Sequence, residues 1–178
     1  IGIGAPGSIS PATGLVRNSN TVHLNGRPFD RDLEAKLGRP VTMRNDADCF
    51  TLSEAIDGAG AGASTVFGVI VGTGTGGGLC VHGRLLAGAN GIAGEWGHNP
   101  LPWPRPDELP GPPCYCSKHG CIETFLSGPG LLRDYRARPG AQDVTDAASL
   151  VGLGERGDEL AERVLADYED RMARALAS

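Results

Sequence analysis

The sequence has 178 residues, an apolar fraction of 40% and a formal net charge of −5, from 16 basic and 21 acidic residues. This length suits one large domain or two small ones and can bury a sizeable core. No basic run, membrane-length apolar run or signal peptide is present, so we expect neither nucleic acid nor a membrane as a partner of this segment.

The cysteine count indicates the redox environment. Five cysteines, an odd number without a secretion signal, favour reduced thiols and a cytoplasmic location. We expect Cys49 and Cys80 to be small hydrophobic residues of the interior. The first residues resemble the middle of a strand and the last end within a helical pattern, so we expect a chain that lacks both ends of a longer protein.

The N-terminal quarter predicts a strand and a helix. Residues 1–5 alternate small and branched apolar side chains, which is typical of a buried strand. Leu33 and Leu37 stand four residues apart on an amphipathic helix, and Gly38 is placed to end it.

A short strand, "VTM", comes next and places Asn45 and Asp46 at its carboxyl end. The following segment, "ADCFTLSEAIDGAG", predicts a helix that stops at Gly58 and Gly60. Ligands of α/β proteins bind at such strand ends, so Asp46 could be a general base and Asn45 a hydroxyl-binding group. The alternative is a plain helix N-cap, for which both residue types are favoured.

The central region predicts an antiparallel meander. A buried strand at residues 66–71, a glycine turn, a strand near residues 79–81 and a third strand in "RLLAG" follow one another. Residues 99–113 are rich in proline and predict irregular structure. The tail predicts an amphipathic helix whose apolar stripe contains Leu160, Val164, Tyr168 and Met172.

Three cysteines, Cys114, Cys116 and Cys121, follow the spacing C-x-C-x4-C. A disulfide between the first two would be strained, whereas three thiolates and one further ligand suit tetrahedral zinc. His119 lies inside the loop, where chelation is cramped, but the proline-rich segment could fold back and bring His98 close. We therefore predict a structural zinc held by His98 and the three cysteines, against the alternative of three metal-free surface thiols.

The segment "GTGTGGG", residues 72–78, follows a strand and formally contains G-x-G-x-x-G. Strand-like residues follow it, which argues against a Rossmann fingerprint, and no P-loop motif occurs. A glycine tip with exposed N–H groups and two threonine hydroxyls could hold phosphate, although an ordinary hairpin turn is the alternative.

Carboxylates lie close to the first and the last of the predicted zinc ligands in the sequence. Glu95 and His98 stand three residues apart among glycines, and Glu123 follows the last cysteine. Carboxylates and an imidazole suit a ligand with several hydroxyls. A zinc ion that closes the cysteine loop would also fix Glu123 relative to His98, so the metal would brace a substrate-binding carboxylate.

Four motifs in this order, "NDAD", "GTGTGGG", "GIAGEWGH" and "CYCSKHGCIETFLSG", resemble the ROK family of sugar kinases and repressors. They span residues 45–128, and the looser "GAPGSIS" and "NSNTVHLNGRPF" extend the resemblance toward residue 1. The implied fold is α/β, the actin-like (ribonuclease-H-like) sugar kinase fold with two lobes around a cleft. Residues 1–62 would belong to the N-terminal lobe and residues 63–178 to the C-terminal lobe.

The resemblance also implies roles for individual residues. Asp46 resembles the catalytic base, and His98 would serve both sugar and zinc through its two ring nitrogens. The implied sugar ligands are Gly7, Asn45, Asp46, Glu95, His98 and Glu123. The implied phosphate-binding residues are Gly72, Thr73, Gly74, Thr75 and Gly76, and the implied zinc ligands are His98, Cys114, Cys116 and Cys121.

This sequence departs from the family pattern at one position and in its extent. Ser117 stands where the family usually has glycine, and if that position needs a positive φ the serine costs about 1 kcal/mol. The first phosphate loop of the family would precede residue 1, and the glycines that hold adenosine would follow residue 178. We therefore expect the chain alone not to turn over.

The implied activity is phosphoryl transfer from ATP and Mg²⁺ to a hexose. The motifs "GEWGHNPLPW" and "CYCSKHGCIETFLSG" look most like bacterial fructokinases that also accept mannose, so we expect fructose, with N-acetylglucosamine as the closest competitor. The alternatives are a sugar-responsive repressor with a DNA-binding segment upstream and a zinc-containing sugar-binding module without turnover. Asp46 and the glycine segment favour the enzyme, and the resemblance suggests a homodimer.

Overall fold

The computed structural model describes residues 1–19 and 21–178, which form two compact units. Unit 1 consists of Ile1–Val69 and Gly77–Glu95, and unit 2 consists of Ile70–Gly76 and Trp96–Ser178. The two lobes expected from the sequence, divided at residue 62, stay a prediction, because compact units need not coincide with lobes.

Unit 1 begins with two small sheets. Strand β1 (Gly2–Ala5) pairs in parallel with β4 (Thr42–Asn45), and β2 (Ser8–Ile9) pairs antiparallel with β3 (Val16–Arg17). The prediction of a strand is confirmed, but its burial is wrong, since only Ala5 of β1 is buried. Among the described residues β1 has β4 as its one neighbour, so its other edge is open. The core between these strands contains Ala5, Val16 and Met43, with Ile3, Ile9, Leu24 and Phe29 packed against it.

Helices α1 (Phe29–Leu37) and α2 (Asp46–Ile56) lie where the sequence predicts them. Gly38 follows α1 with a φ of 61°, the left-handed conformation that glycine adopts without a Cβ clash. A 3-10 helix, Val22–Leu24, precedes α1. The order β1–α1–β4–α2 explains the parallel pairing, because two parallel strands need a crossover connection.

A three-stranded sheet follows, in the order β5 (Thr65–Val71), β6 (Thr75–Val81) and β7 (Arg84–Leu85). The three predicted strands are confirmed, and β6 and β7 are antiparallel. Two details of the prediction are wrong. Strand β6 already begins at Thr75, so the glycine tip is shorter than expected. Strand β5 is buried only at Gly68, whereas the sequence predicted a buried strand over residues 66–71.

Glycines in this sheet allow α2 to pack closely against it. Thr51 of α2 is fully buried and its hydroxyl donates to Ala47 O at 2.8 Å. A Cβ at Gly68 would overlap Thr51 Oγ1, and one at Gly78 would lie 2.5 Å from the same atom. The absence of side chains at these strand positions therefore permits the approach of the helix that begins at Asp46.

Unit 2 is mainly helical. Its helices are α3 (Ile122–Leu126), α4 (Gly128–Arg136), α5 (Ala147–Glu155) and α6 (Glu159–Leu176). Its core contains Leu131, Tyr135, Val144, Leu150, Ala161 and Val164. Cys80 is buried as expected, but in unit 1, whereas Cys49 of α2 is only partly buried. None of the helices in the described part of the chain is long and apolar enough to cross a membrane.

The buried face of α6 differs from the predicted stripe. Val164 is buried as expected, but Met172 is only partly buried, and Arg171 is 7% exposed. Arg171 occupies this face because its charge is paired: its Nε donates to Glu108 Oε1 at 2.8 Å and its Nη1 to Asp134 Oδ2 at 2.6 Å. The sequence pattern did not indicate this buried ion pair.

Glu108 fastens the proline-rich segment to α6. It ends a short 3-10 helix, Pro106–Glu108, within a segment that is otherwise irregular as predicted. Arg174 Nη2 donates to Glu108 Oε1 at 2.8 Å and the Arg105 N–H donates to Oε2 at 2.8 Å. Burial raises the pKa of Glu108, but the hydrogen bonds from Arg174, Arg105 and Arg171 outweigh it and lower the pKa to about 2.

We expect Glu108→Ala to lower the free energy of unfolding by about 3–5 kcal/mol, because it removes the buried carboxylate that pairs with both Arg171 and Arg174 and leaves Arg171 with Asp134 alone. The pKa is lower in the folded protein than the ordinary 4.5, so the contribution of Glu108 is complete above pH 4.5 and is lost as the pH falls toward 2. Urea denaturation at pH 7 and pH 3 measures both effects.

Glu169→Ala, which removes an exposed carboxylate of α6, is the control and should lower the free energy of unfolding by less than about 0.5 kcal/mol. A Glu108→Ala protein as stable as this control at pH 7 would contradict the role of Glu108.

Candidate active site

Asn45 and Asp46 occupy the junction between β4 and α2. The Asn45 side chain caps α2, because its Oδ1 accepts from the backbone N–H groups of Ala47 at 2.8 Å and Asp48 at 3.3 Å. Its Nδ2 donates to Gly7 O at 3.1 Å. The helix-cap interpretation of this pair is therefore confirmed for Asn45, and the remaining Nδ2 hydrogen is the group that could meet a ligand.

Asp46 is the first residue of α2 and is exposed. Its Oδ1 accepts from the Ala47 N–H at 3.0 Å, and its other carboxylate oxygen is the one that we expect to meet an incoming hydroxyl. Asp48, one turn position further on, is partly buried, and burial raises its pKa while the nearby Arg44 lowers it. An exposed carboxylate at a strand end, beside an amide, can accept a proton from a bound alcohol.

Two further predicted sugar ligands belong to unit 1. Gly7 has a φ of 85°, and a Cβ there would lie 2.6 Å from Arg17 O, so glycine is required at the turn that meets Asn45. Glu95 is exposed and is the last residue of unit 1. Gly7 and Asn45 are thus brought together in unit 1, while His98 and Glu123 belong to unit 2.

The predicted phosphate-binding segment, residues 72–76, belongs to unit 2. Gly72 and Thr73 are exposed, whereas Thr75 is 6% exposed. Two N–H groups of the segment already have acceptors: Gly72 donates to Gly74 O at 2.9 Å, and Thr75 donates to Glu123 Oε2 at 2.9 Å. The expectation that these two N–H groups are available to phosphate is therefore wrong.

Unit 2 brings together His98, Cys114, Cys116 and Cys121. One ligand atom from each lies within 4.8 Å of all the others. His98 Nδ1 is 3.4 Å from Cys114 Sγ, and Cys116 Sγ is 3.6 Å from Cys121 Sγ. His119 is exposed and is not a member of this cluster, so the preference for His98 agrees with the geometry.

The spacing of the cluster fits a zinc ion. With Zn–S bonds of about 2.3 Å, ligand atoms at the corners of a tetrahedron stand about 3.8 Å apart, close to the two distances observed. All five cysteines are free thiols. Burial raises the pKa of the Cys121 thiol to about 12, so a metal ion that binds there must displace a proton.

Backbone hydrogen bonds shape the cysteine loop, residues 114–121. The Cys114 N–H donates to Lys118 O at 2.8 Å, and the Ser117 N–H donates to Cys114 O at 3.0 Å. The tight turn gives Ser117 a φ of 71°, as expected from its place where the family usually has glycine.

We expect Ser117→Gly to raise the free energy of unfolding of the metal-loaded protein by about 0.5–1 kcal/mol, because glycine adopts this conformation without a Cβ clash. Ser117→Ala keeps the Cβ and serves as the control, with no gain expected. Urea denaturation of both variants tests this, and equal stability of the glycine and alanine variants would contradict it.

Tyr115 contacts the same histidine, which the sequence did not indicate. Its hydroxyl lies 2.7 Å from His98 Nε2, and the two rings meet edge to face with centroids 4.8 Å apart. Since Nδ1 faces the cysteines, this hydrogen bond uses the nitrogen that remains. Tyr115 is 80% exposed, so its hydroxyl could give way to that of a ligand.

Glu123 is held next to His98 through the backbone. It is the second residue of α3, and its N–H donates to Gly97 O at 2.8 Å, while the Ile122 N–H donates to Asn99 O at 2.9 Å. These two hydrogen bonds lie on either side of His98. Backbone contacts that do not depend on a metal therefore hold Glu123 beside His98, and bracing by a zinc ion stays a prediction.

The sequence matches the model of the ROK family over residues 1–178. It is 41% identical to the N-acetylgalactosamine kinase AgaK of Shewanella sp. (strain ANA-3) over 180 aligned residues, covering 100% of this chain and 58% of that protein. It is 39% identical to the N-acetyl-D-glucosamine kinase of Pasteurella multocida (strain Pm70), covering 90% of this chain and 54% of that protein. The chain thus spans a little over half the length of these relatives.

Solved structures share this fold. The ROK hexokinase of Thermus thermophilus has a TM-score of 0.79 and 34% identity, covering 99% of this chain and 55% of that one. A ROK glucokinase of Streptomyces griseus, solved with glucose and AMPPNP, has a TM-score of 0.79 and 27% identity over 99% of this chain and 59% of its own. A ROK transcriptional regulator, a homologue of the E. coli MLC protein, has a TM-score of 0.81 and 25% identity, covering 99% of this chain and 45% of that one. The chain belongs to the ROK family and has part of its actin-like fold.

Proposed function

We propose that the protein carrying this chain transfers a phosphoryl group from ATP to a hydroxyl of a hexose. The observation that carries the proposal is the junction of β4 and α2, where the exposed Asp46 carboxylate stands beside the Asn45 amide, in a chain of the ROK family. The two relatives described above are named as an N-acetylgalactosamine kinase and an N-acetyl-D-glucosamine kinase.

In this proposal Asp46 accepts the proton of the attacking hydroxyl. The Asn45 Nδ2 donates to a neighbouring sugar oxygen while its Oδ1 remains the cap of α2. Glu95, His98 and Glu123 bind further hydroxyls of the same sugar. Most of the acceleration comes from positioning and from electrostatic stabilisation of the transferring phosphoryl group, as in other phosphoryl transfers.

Residues 72–76 and a Mg²⁺ ion that accompanies ATP would face the phosphates. Because the Gly72 N–H donates to Gly74 O and the Thr75 N–H to Glu123, the N–H groups that we expect to meet phosphate are those of Thr73 and Gly74. A zinc ion on His98 and the three cysteines would have four protein ligands and no open position, so its role would be structural.

The proposed hexose is an N-acetylated one. The reported relatives are named as N-acetylgalactosamine and N-acetylglucosamine kinases, and none of them supports the fructose expected from the motifs around residues 94–103 and 114–128. The test uses the whole protein that carries this chain, with ATP and a panel of sugars. The rate of ADP formation is measured for N-acetylglucosamine, N-acetylgalactosamine, N-acetylmannosamine, fructose, mannose and glucose.

The highest kcat/KM is expected for an N-acetylhexosamine. Fructose as the best substrate would restore the original expectation within the same function. Absence of phosphorylation for every sugar would contradict the proposal.

A second candidate, a sugar-responsive repressor, is favoured by the similarity to the ROK transcriptional regulator. It predicts sugar binding without ADP formation, and so does a zinc-containing sugar-binding module. A repressor, unlike that module, would also bind DNA in the whole protein. A homodimer remains a proposal from the family resemblance, which ultracentrifugation would test. A cytoplasmic location remains a proposal from the cysteine content, which cell fractionation would test.

A further inference from the structure

Within unit 2, the predicted phosphate-binding segment, residues 72–76, contacts the carboxylate of Glu123, which follows the cysteine loop. Glu123 Oε2 accepts a hydrogen bond of 2.9 Å from the Thr75 N–H. A Cβ placed on the preceding residue, Gly74, would lie 2.7 Å from the same oxygen, closer than real Cβ contacts. Glycine at position 74 therefore leaves just enough room for the carboxylate to reach the Thr75 N–H.

The partner of Glu123 is itself held in place. The Gly128 N–H donates to Gly72 O at 2.8 Å, and Trp96 Nε1 donates to Gly76 O at 2.7 Å. A Cβ at Gly97 would overlap Thr75 O, so the backbone at Gly97 is in direct contact with that of residues 72–76. The N–H that anchors Glu123 is thus part of a segment fixed at both of its ends.

Burial strengthens this contact. Thr75 is 6% exposed and Glu123 is partly buried, so the hydrogen bond is largely shielded from competing water. A backbone N–H that donates to a carboxylate makes a charge-assisted bond, stronger than one between neutral groups. The bond to Oε2 restricts rotation of the carboxylate, and Oε1 is the oxygen that we expect to meet a ligand.

We propose that Gly74 and Thr75 are positioning residues that orient the Glu123 carboxylate for sugar recognition, Gly74 by leaving room for it and Thr75 through its backbone N–H. Through them, the segment expected to face the phosphates also aims the Glu123 carboxylate at a sugar hydroxyl. This inference rests on the proposed sugar kinase function. It assigns to Gly74 a steric role in the sugar subsite, and it links the phosphate side and the sugar side of the site through a single side chain.

The first test is Gly74→Ala in the protein that carries this chain, with N-acetylglucosamine or the best sugar of the panel as substrate. The added methyl displaces Glu123 Oε2 from the Thr75 N–H, so we expect KM for the sugar to rise about tenfold and KM for ATP to change by less than about threefold. Gly72→Ala is the matched control in the same segment, since an added Cβ there meets nothing within 4 Å. Any effect of Gly72→Ala should fall on KM for ATP.

A double-mutant cycle with Glu123→Ala then separates positioning from a general disturbance of the segment. If Gly74 acts through Glu123, Gly74→Ala has no further effect on KM for the sugar once the carboxylate is absent. Equal effects of Gly74→Ala in the two backgrounds, or an effect on KM for ATP alone, would overturn the inference.

A second pair of variants keeps the test valid should Gly74→Ala not fold. Glu123→Gln retains the length and one oxygen acceptor for the Thr75 N–H, whereas Glu123→Asp is one methylene shorter and cannot serve both the N–H and the sugar. We expect the aspartate variant to have the higher KM for the sugar, and an aspartate variant with wild-type KM would contradict the anchoring. Phosphorylation by the wild type tests the proposed function separately, so a working kinase with an additive cycle would refute the inference alone.

Discussion

Asp46→Asn, made in the whole protein that carries this chain, is expected to lower kcat by about 100- to 10,000-fold, the usual contribution of a general base. Asparagine has nearly the shape of aspartate and can still accept the Ala47 N–H through its oxygen, so the start of α2 should be preserved. It cannot take the proton of a sugar hydroxyl. Because the amide still offers hydrogen bonds to the sugar, the dissociation constant of the sugar should change by less than about threefold. Steady-state kinetics and calorimetric titration with sugar measure the two quantities.

The matched control is Asp48→Asn on the same helical turn. Asp48 is partly buried, and burial raises its pKa, whereas Asp46 is exposed at the strand end where the ligand is expected. Asp48→Asn should keep most of the wild-type kcat. Near-native kcat for Asp46→Asn, or an equal loss in both variants, would refute the assignment of Asp46 as the base.

Loss of the metal is expected to have the second large effect. Cys121→Ser removes a predicted zinc ligand that is 1% exposed. Cys121 directly precedes α3, the helix that contains Glu123. We expect the zinc content to fall from one ion per chain toward zero and the sugar affinity to fall about 10- to 100-fold, in the range seen when the support of a metal site is removed. Metal analysis and calorimetric titration with sugar test this.

Cys49→Ser is the control, because Cys49 is a partly buried thiol of α2 outside the cluster. It should retain both zinc and sugar affinity. The backbone hydrogen bonds from Glu123 to Gly97 and from Ile122 to Asn99 could hold the carboxylate without the ion. Unchanged sugar affinity after verified zinc loss would therefore show that these bonds suffice and that the metal does not brace the site.

Local chemistry made part of this site predictable. A helix start after Asn45 follows from side-chain capping, which acts within three residues. The cysteine cluster is similarly local, because Cys114, Cys116 and Cys121 lie within one short loop, and only His98 had to be chosen from further away. Such features depend on neighbours in the sequence, so their residue types and spacings carry most of the information.

Contacts between distant segments were not predictable in the same way. Thr75 and Glu123 are 48 residues apart, and nothing in either motif indicates that one N–H holds the other side chain. Arg171 interrupts the predicted apolar stripe of α6 because Glu108, 63 residues earlier, neutralises it. The Tyr115 hydroxyl meets His98 through a turn whose geometry the sequence does not specify. Each of these depends on how the chain folds back on itself.

The most direct test of the account is a crystal structure of the protein with a bound N-acetylhexosamine and AMPPNP. We predict one sugar whose hydroxyls contact Asn45, Asp46, Glu95, His98 and Glu123, with the reacting hydroxyl within about 3 Å of an Asp46 oxygen and aimed at the γ-phosphate. A sugar bound away from Asp46, with these side chains directed into separate regions, would contradict it.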